Sequence, residues 1–168
     1  MTYVNSDYGK GLSDSFGKAF QALGGTVTIS VPHETGKADY SAEVASMDSA
    51  GGDAMAVFGY VNQGGPGIMQ ASLDSGSFDK FILADGMYGD DLLTNVEGDL
   101  TGTFGTVPGT DSKGAATYAD MANAAGLKGS GPFTGESYDA AALLILAMQS
   151  AGSTDGAAIA SNLSLIHI

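Results

Sequence analysis

The sequence contains no cysteine and very few basic residues. Of its 168 residues, six are Lys or Arg and 19 are Asp or Glu, which gives a net charge of −13. The lack of cysteine excludes disulfides, thiol chemistry and thiolate metal sites. The shortage of basic residues argues against nucleic acid and against an anionic membrane surface as partners, because both carry negative charge. We expect the acidity to serve mainly solubility.

Long apolar segments and paired histidines are also missing. The longest apolar run, residues 140–148, is shorter than the roughly 20 residues that a membrane span needs, so no direct membrane insertion is expected. The first residues show neither a basic start nor an apolar stretch, so no signal peptide is visible. The two histidines, His33 and His167, lack the spacing of a metal site or a catalytic base. His33 follows Pro32 and is predicted to be a solvated loop residue.

Strand-like and helix-like segments alternate through the first 107 residues. Helices are predicted between the strands, the first over residues 8–23, with an apolar face formed by Leu12, Phe16, Phe20 and Leu23. The predicted strands are residues 3–4, 26–31, 54–58, 81–84 and 103–107. The continuous apolar runs at 54–58 and 81–84 are typical of strands that are covered on both faces. Such alternation predicts an α/β fold in which helices flank a parallel sheet.

The pattern changes after residue 107. A helix is predicted over 113–125, and a glycine-rich loop then leads to an apolar helix over 137–151. The expected core face of this second helix consists of Ala141, Leu144, Ile145 and Met148, and Leu143 and Leu146 make it apolar nearly all round. Such a helix should be buried on several sides. No segment after 107 predicts a sheet to cover it, so we expect the chain to be incomplete, and we expect residues 164–168 to be a non-native tail.

The loops that follow the predicted strands hold the candidate site residues. In an open parallel sheet, ligands bind beyond the carboxyl ends of the strands. Tyr8, Tyr60 and Asp85 occupy three such loops. A tyrosine can stack on an apolar group and donate a hydrogen bond, and a carboxylate can bind a ligand ammonium. Position alone leaves open that each tyrosine merely pins a helix and that Asp85, beside Gly86, caps a helix or turns the chain.

Cofactor and metal motifs are incomplete. The glycine-rich segment at residues 64–67 is not followed by the Lys-Ser or Lys-Thr of a phosphate-binding loop, and Gly9-Lys10-Gly11 lacks the third glycine of a dinucleotide fingerprint. The acidic residues between 90 and 99 do not have the spacing of a calcium loop. We therefore predict no cofactor, no metal and no enzyme activity.

Four segments, in order, resemble a known family. Residues 3–11, Tyr-Val-Asn-Ser-Asp-Tyr-Gly-Lys-Gly, resemble the segment that opens the second lobe of type I periplasmic binding proteins. These proteins serve ATP-driven importers of leucine, isoleucine and valine. Residues 24–27 and 39–41 resemble the starts of the next strand and of the second helix in that lobe. Residues 135–141, with Tyr-Asp-Ala-Ala, resemble the opening of the long helix of the first lobe.

The resemblance implies two α/β lobes that close on a ligand. Residues 1–105 would be the second lobe with a truncated first strand, and 106–163 a crossover and part of the first lobe. In this family the second lobe supplies aromatic walls and an acid for the ligand's amino group, roles that would fall on Tyr8, Tyr60 and Asp85. The chain would then belong to the substrate-binding component of a periplasmic ABC importer. It would bind an amino acid, preferably a branched-chain one, and deliver it to a membrane permease, with a signal peptide upstream of this chain.

Two alternatives remain at this stage. A ligand-sensing domain of a regulator or receptor, specific for an amide, urea or an amino acid, would share the same fold, and a cytoplasmic start rather than a signal peptide would support it. A doubly wound enzyme of the flavodoxin type is disfavoured because the sequence shows no cofactor loop and no catalytic pair.

Overall fold

A five-stranded parallel sheet organises the first part of the chain. The computed structural model describes residues 1–109, 111–127, 129 and 131–163, and the chain divides into two units after Val107. The strands are β1 (Thr2–Val4), β2 (Val31–His33), β3 (Met55–Phe58), β4 (Phe81–Leu83) and β5 (Phe104–Gly105). Their order in the sheet is β2-β1-β3-β4-β5, and every neighbouring pair is parallel. The predicted α/β class is confirmed.

Helices connect the strands of the first unit and make up the second. In the first unit they are α1 (Asp7–Ala22), α2 (Ser41–Ala50), α3 (Gly65–Ser75), a 3-10 turn (Asp85–Met87) and α4 (Asp90–Asn95). In the second unit they are α5 (Lys113–Ala124), α6 (Thr134–Ala151) and α7 (Gly156–Leu163). None of the described helices combines the length and the apolar character needed to cross a membrane.

Strand β3 is buried on both faces, as its apolar run predicts. Met55 and Val57 point into the larger core cluster, with Phe81, Ile68 and further residues of α2 and α3. The alternate residues Ala56 and Phe58 point into a smaller cluster on the other face, against which Leu12 and Phe16 of α1 pack. Because successive side chains of a strand point to opposite faces, a strand covered on both faces needs apolar residues at every position.

The predicted apolar face of α1 is only half correct. Leu12 and Phe16 are partly buried, but Phe20 is exposed and Leu23 is 88% exposed. The fully buried positions are Gly9, Ser13 and Gly17, spaced four residues apart. A Cβ atom on Gly9 would lie 2.2 Å from the carbonyl oxygen of Val4. Small residues therefore face the sheet and allow α1 to approach β1 closely.

Strand β2 lies later in the chain than predicted. The β-branched run at 26–31 predicts a strand, but pairing with β1 begins at Val31 and continues through Pro32 to His33. Proline is tolerated because β2 is an edge strand, where one row of backbone groups needs no partner strand. The prediction that His33 is a solvated loop residue is consequently wrong: its side chain is fully buried, and its Nδ1 shares a 2.8 Å hydrogen bond with Thr2 Oγ1.

Gly11, in the interior of α1, offers a direct test of the helix. No atom lies within 4 Å of a Cβ built on Gly11, and its backbone has no positive φ. Replacing Gly11 with Ala should raise the free energy of unfolding by about 0.5–1 kcal/mol, because alanine loses less backbone entropy on folding into a helix. Urea denaturation followed by circular dichroism measures this. A loss of stability would show that α1 is not a regular helix at this position.

The second unit differs from its prediction in two respects. Helix α6 begins at Thr134 rather than 137, and α7, which packs against it, is not anticipated from the sequence. The sequence predicts no sheet after residue 107 to cover α6, and in the part of the chain described Leu144, Ile145 and Leu146 are exposed, while Ala147 is the buried residue of this helix. The predicted tail, residues 164–168, lies outside the described residues.

Candidate functional site

The three predicted site residues follow three adjacent strands. Tyr8 lies in the first turn of α1, directly after β1, Tyr60 follows β3, and Asp85 opens the 3-10 turn after β4. Strands β1, β3 and β4 are neighbours in the sheet and run in the same direction. Their carboxyl ends therefore meet at one edge, the edge at which sheets of this kind bind ligands.

The structure brings Tyr8, Tyr60 and Asp85 into direct contact. The Tyr8 hydroxyl donates a hydrogen bond to Asp85 Oδ1, with an O–O distance of 2.8 Å. The rings of Tyr8 and Tyr60 are stacked, with centroids 4.6 Å apart and planes inclined by 24°. All three side chains are half-buried, so each keeps a surface that is open to solvent. Their convergence follows from the strand order, and their role in binding remains a prediction.

The Tyr8 hydroxyl is a neutral hydrogen-bond donor. Burial raises its pKa well above the usual value, and the hydrogen bond to Asp85 adds to this effect, while the backbone N–H of Gly86 acts in the opposite direction. The phenol therefore stays protonated at physiological pH and holds one oxygen of the carboxylate. Among the residues that the structure describes, Asp85 Oδ2 has no hydrogen-bond partner, so it can accept one from a ligand.

Two glycines complete the site and were not anticipated from the sequence. The Gly86 N–H donates to Tyr8 Oη at 3.1 Å, and its carbonyl accepts from the Val61 N–H at 3.0 Å. Gly59, before Tyr60, directs its carbonyl oxygen at the place where a side chain on Gly86 would lie. The pair Asp85-Gly86 after an apolar strand is the available signal, but it is equally typical of an ordinary turn.

His33 lies next to Gly59, the residue before Tyr60, at the carboxyl end of β2. Its Nε2 is buried and has no partner among the described residues, and a Cβ on Gly59 would lie 3.1 Å from it. The ring is edge-on to Tyr40, with centroids 6.1 Å apart. Burial lowers the pKa of His33 to about 4, although Glu43 and Glu34 favour the charged form. His33 is therefore neutral at physiological pH.

The arrangement suits binding rather than chemistry. It offers an aromatic surface, a carboxylate and a hydroxyl, which together can hold an ammonium group and an adjoining apolar group. Among the described residues, no three acidic or histidine side chains are grouped so that they could bind a metal ion.

Sequence relatives of the chain are binding proteins. Residues 1–168 match the family model described as periplasmic binding protein. Over 157 residues the chain is 30% identical to Leu/Ile/Val-binding protein homolog 1 of Brucella abortus, an alignment that covers 92% of this chain and 42% of that protein. The chain thus spans less than half of the length of this relative.

Solved structures share the same fold. The chain superposes with a TM-score of 0.80 on a type 1 periplasmic binding protein of Bordetella pertussis, at 23% identity, covering 96% of this chain and 48% of that one. It superposes with a TM-score of 0.75 on the leucine binding protein LivK of Thermotoga maritima, at 25% identity and the same coverage. These relatives are solute-binding proteins and not enzymes. With a family model that matches the sequence from end to end and a fold shared with such proteins, the chain belongs to the periplasmic binding protein family.

Proposed function

We propose that this chain forms part of the substrate-binding component of an ABC importer and that its site binds an amino acid, with a preference for branched aliphatic ones. The observation that carries the proposal is the contact of Tyr8 with both Asp85 and Tyr60 at one edge of the sheet. The name of the Brucella relative refers to leucine, isoleucine and valine, and that of the Thermotoga protein to leucine, which supports the choice of ligand.

Each residue has a separate role in this proposal. Asp85 binds the ligand ammonium through Oδ2, because Oδ1 is held by Tyr8. A partly shielded charge pair of this kind contributes more than a pair on an open surface. The stacked rings of Tyr8 and Tyr60 form an aromatic wall along the ligand. The bodies of these rings are apolar, which suits an uncharged ligand side chain.

The wider context is part of the proposal. Residues 1–105 act as the second lobe of a two-lobed protein, and 106–163 as a crossover and part of the first lobe. The ligand favours the closed form because it contacts both lobes, and differential affinity of this kind shifts the population of states. The protein works in the periplasm and delivers its ligand to a membrane permease.

Calorimetric titration of the complete protein with leucine, isoleucine and valine tests the proposal. We expect heat of binding with at least one of them, and a dissociation constant in the micromolar range or below, about −8 kcal/mol or stronger. Glutamate serves as the control, because its side chain would place a second negative charge near Asp85 and opposite an aromatic wall, and it should give little or no heat. No heat with any amino acid would exclude the proposed ligand class.

A further inference from the structure

Gly86 occupies a position that has no room for a side chain. A Cβ built there would lie 2.3 Å from the Gly59 carbonyl oxygen, 2.8 Å from Tyr60 Cδ1 and 2.9 Å from Tyr8 Oη. Carbon atoms do not approach a backbone oxygen this closely, so any other residue at 86 would displace the loop after β3. The clash would therefore act on Tyr60, which lies in that loop, and on Tyr8, in the first turn of α1, and both belong to the candidate site.

The backbone conformation of Gly86 does not itself require glycine. Its φ is not positive, unlike that of Gly89 three residues later. Alanine could adopt the same φ and ψ without strain. The requirement for glycine is therefore one of space at the site, and a substitution acts through neighbouring groups rather than through the local backbone.

Both backbone groups of Gly86 tie together the elements that carry the site. Its N–H donates to Tyr8 Oη, the atom that itself donates to Asp85 Oδ1. Its carbonyl accepts from Val61, the residue after Tyr60. One residue without a side chain thus fixes the positions of the start of α1, the loop after β3 and the turn after β4 relative to one another.

We propose that Gly86 is a positioning residue: its lack of a side chain lets the loop after β3 close on the turn after β4, which sets the stacking of Tyr8 on Tyr60 and the hydrogen bond from Tyr8 to Asp85. The proposal rests on the proposed function only where it concerns ligand affinity. The arrangement of the three side chains can be tested without any ligand.

The Gly86→Ala variant tests the positioning role by spectroscopy. The protein has seven tyrosines and no tryptophan, so near-UV circular dichroism reports tyrosine and phenylalanine packing. We expect the signal of the stacked pair to be lost, and the Tyr8 phenol, followed by NMR of ¹³Cζ-labelled tyrosine, to titrate at lower pH than in the wild type. Gly11→Ala, at an open position of α1, is the matched control and should leave both signals unchanged. Wild-type signals in Gly86→Ala would overturn the proposal.

A second measurement covers the case in which Gly86→Ala does not fold. In the wild type, the amide proton of Gly86 should exchange slowly with solvent, and in Tyr8→Phe it should exchange faster by about tenfold or more, since its acceptor is gone. Equal exchange rates in the two proteins would refute the contact and the proposal with it.

Leucine affinity separates this proposal from the proposed function. Where the wild type binds leucine, Gly86→Ala should bind it more weakly by about tenfold or more. Unchanged leucine affinity together with wild-type tyrosine signals in Gly86→Ala would contradict the positioning role of Gly86. If the wild type binds no amino acid, the proposed function fails, and the tyrosine signals and amide exchange still decide the role of Gly86.

Discussion

Replacing Asp85 with Asn should weaken leucine binding by about tenfold to a hundredfold, as expected for the loss of a charge-assisted hydrogen bond worth about 1.5–3 kcal/mol. Asparagine keeps the size of the side chain and an oxygen that can accept from the Tyr8 hydroxyl, which donates to Asp85 Oδ1. The stack of Tyr8 on Tyr60 should therefore persist. The change removes the negative charge and little else, and calorimetric titration measures its effect.

Two controls test whether the effect of Asp85→Asn is specific to the ligand ammonium. Asp79 lies at the other end of β4, is exposed, and should tolerate replacement by Asn without loss of affinity. The leucine analogue 4-methylpentanoate lacks only the amino group, so its weak binding should be the same in Asp85→Asn as in the wild type, or stronger. If Asp85→Asn weakened the binding of leucine and of the analogue equally, Asp85 would support the structure of the site without contacting the ligand ammonium.

The sheet could be predicted because its central strands carry a strong signal. Residues 55–58 and 81–83 are continuous apolar runs, and burial on both faces of the sheet requires this. Once these strands are placed, parallel pairing puts the loops after them at one edge. The contact between Tyr8 and Asp85, 77 residues apart in sequence, follows from this topology. The length of the hydrogen bond from Tyr8 to Asp85 and the stacking geometry of the two tyrosines do not follow from it.

The position of β2 and the role of Gly86 could not be predicted, for different reasons. The run at 26–31 has the composition of a strand, but pairing with β1 determines where the strand forms, and it selects 31–33. The reason that residue 86 is glycine is the proximity of Gly59 and Tyr60, which are distant along the chain. A local pattern shows only that Asp-Gly suits a turn. Both features depend on tertiary contacts.

Helix α6 shows how far apolar composition alone can predict burial. Its composition predicts cover on several sides, no segment after 107 predicts a sheet that would provide it, and the described residues leave Ile145 63% exposed. In the second unit the described elements are helices, and α7 packs against α6. Apolar composition indicates how much surface a helix could bury, but the elements that pack against the helix determine how much it does bury.

Acidification should destabilise the protein through His33. Burial lowers its folded-state pKa from the ordinary 6.5 to about 4. Between these two pH values the unfolded chain binds a proton that the folded chain does not, so protons favour unfolding. The contribution of His33 is complete above pH 6.5, decreases as the pH falls, and is exhausted near pH 4. A shift of this size corresponds to about 3 kcal/mol in the free energy of unfolding.

The groups around His33 explain why the charged form is excluded. Nδ1 is occupied by Thr2 Oγ1, and Nε2 faces Gly59 in a buried space where none of the described residues provides a hydrogen-bond partner. A proton on both nitrogens would leave a charged N–H unpaired, which is costly in a protein interior. The carboxylates of Glu34 and Glu43 favour the charged form, but their effect is smaller than that of burial. Tyr40, edge-on to the ring, offers no acceptor oxygen to Nε2.

Comparison with His33→Asn isolates this contribution from the many carboxylates of the chain. Both proteins carry the same 19 acidic residues, so their common response to acid cancels in the difference between the two curves. Asparagine does not titrate, and we expect the variant to be less stable at pH 7 but to lose about 3 kcal/mol less than the wild type on going to pH 4. Urea unfolding at pH steps from 7 to 4 measures both curves. Parallel curves would mean that His33 is protonated equally in the folded and unfolded states, and would overturn the inference that burial without an acceptor for Nε2 among the described residues excludes the charged form.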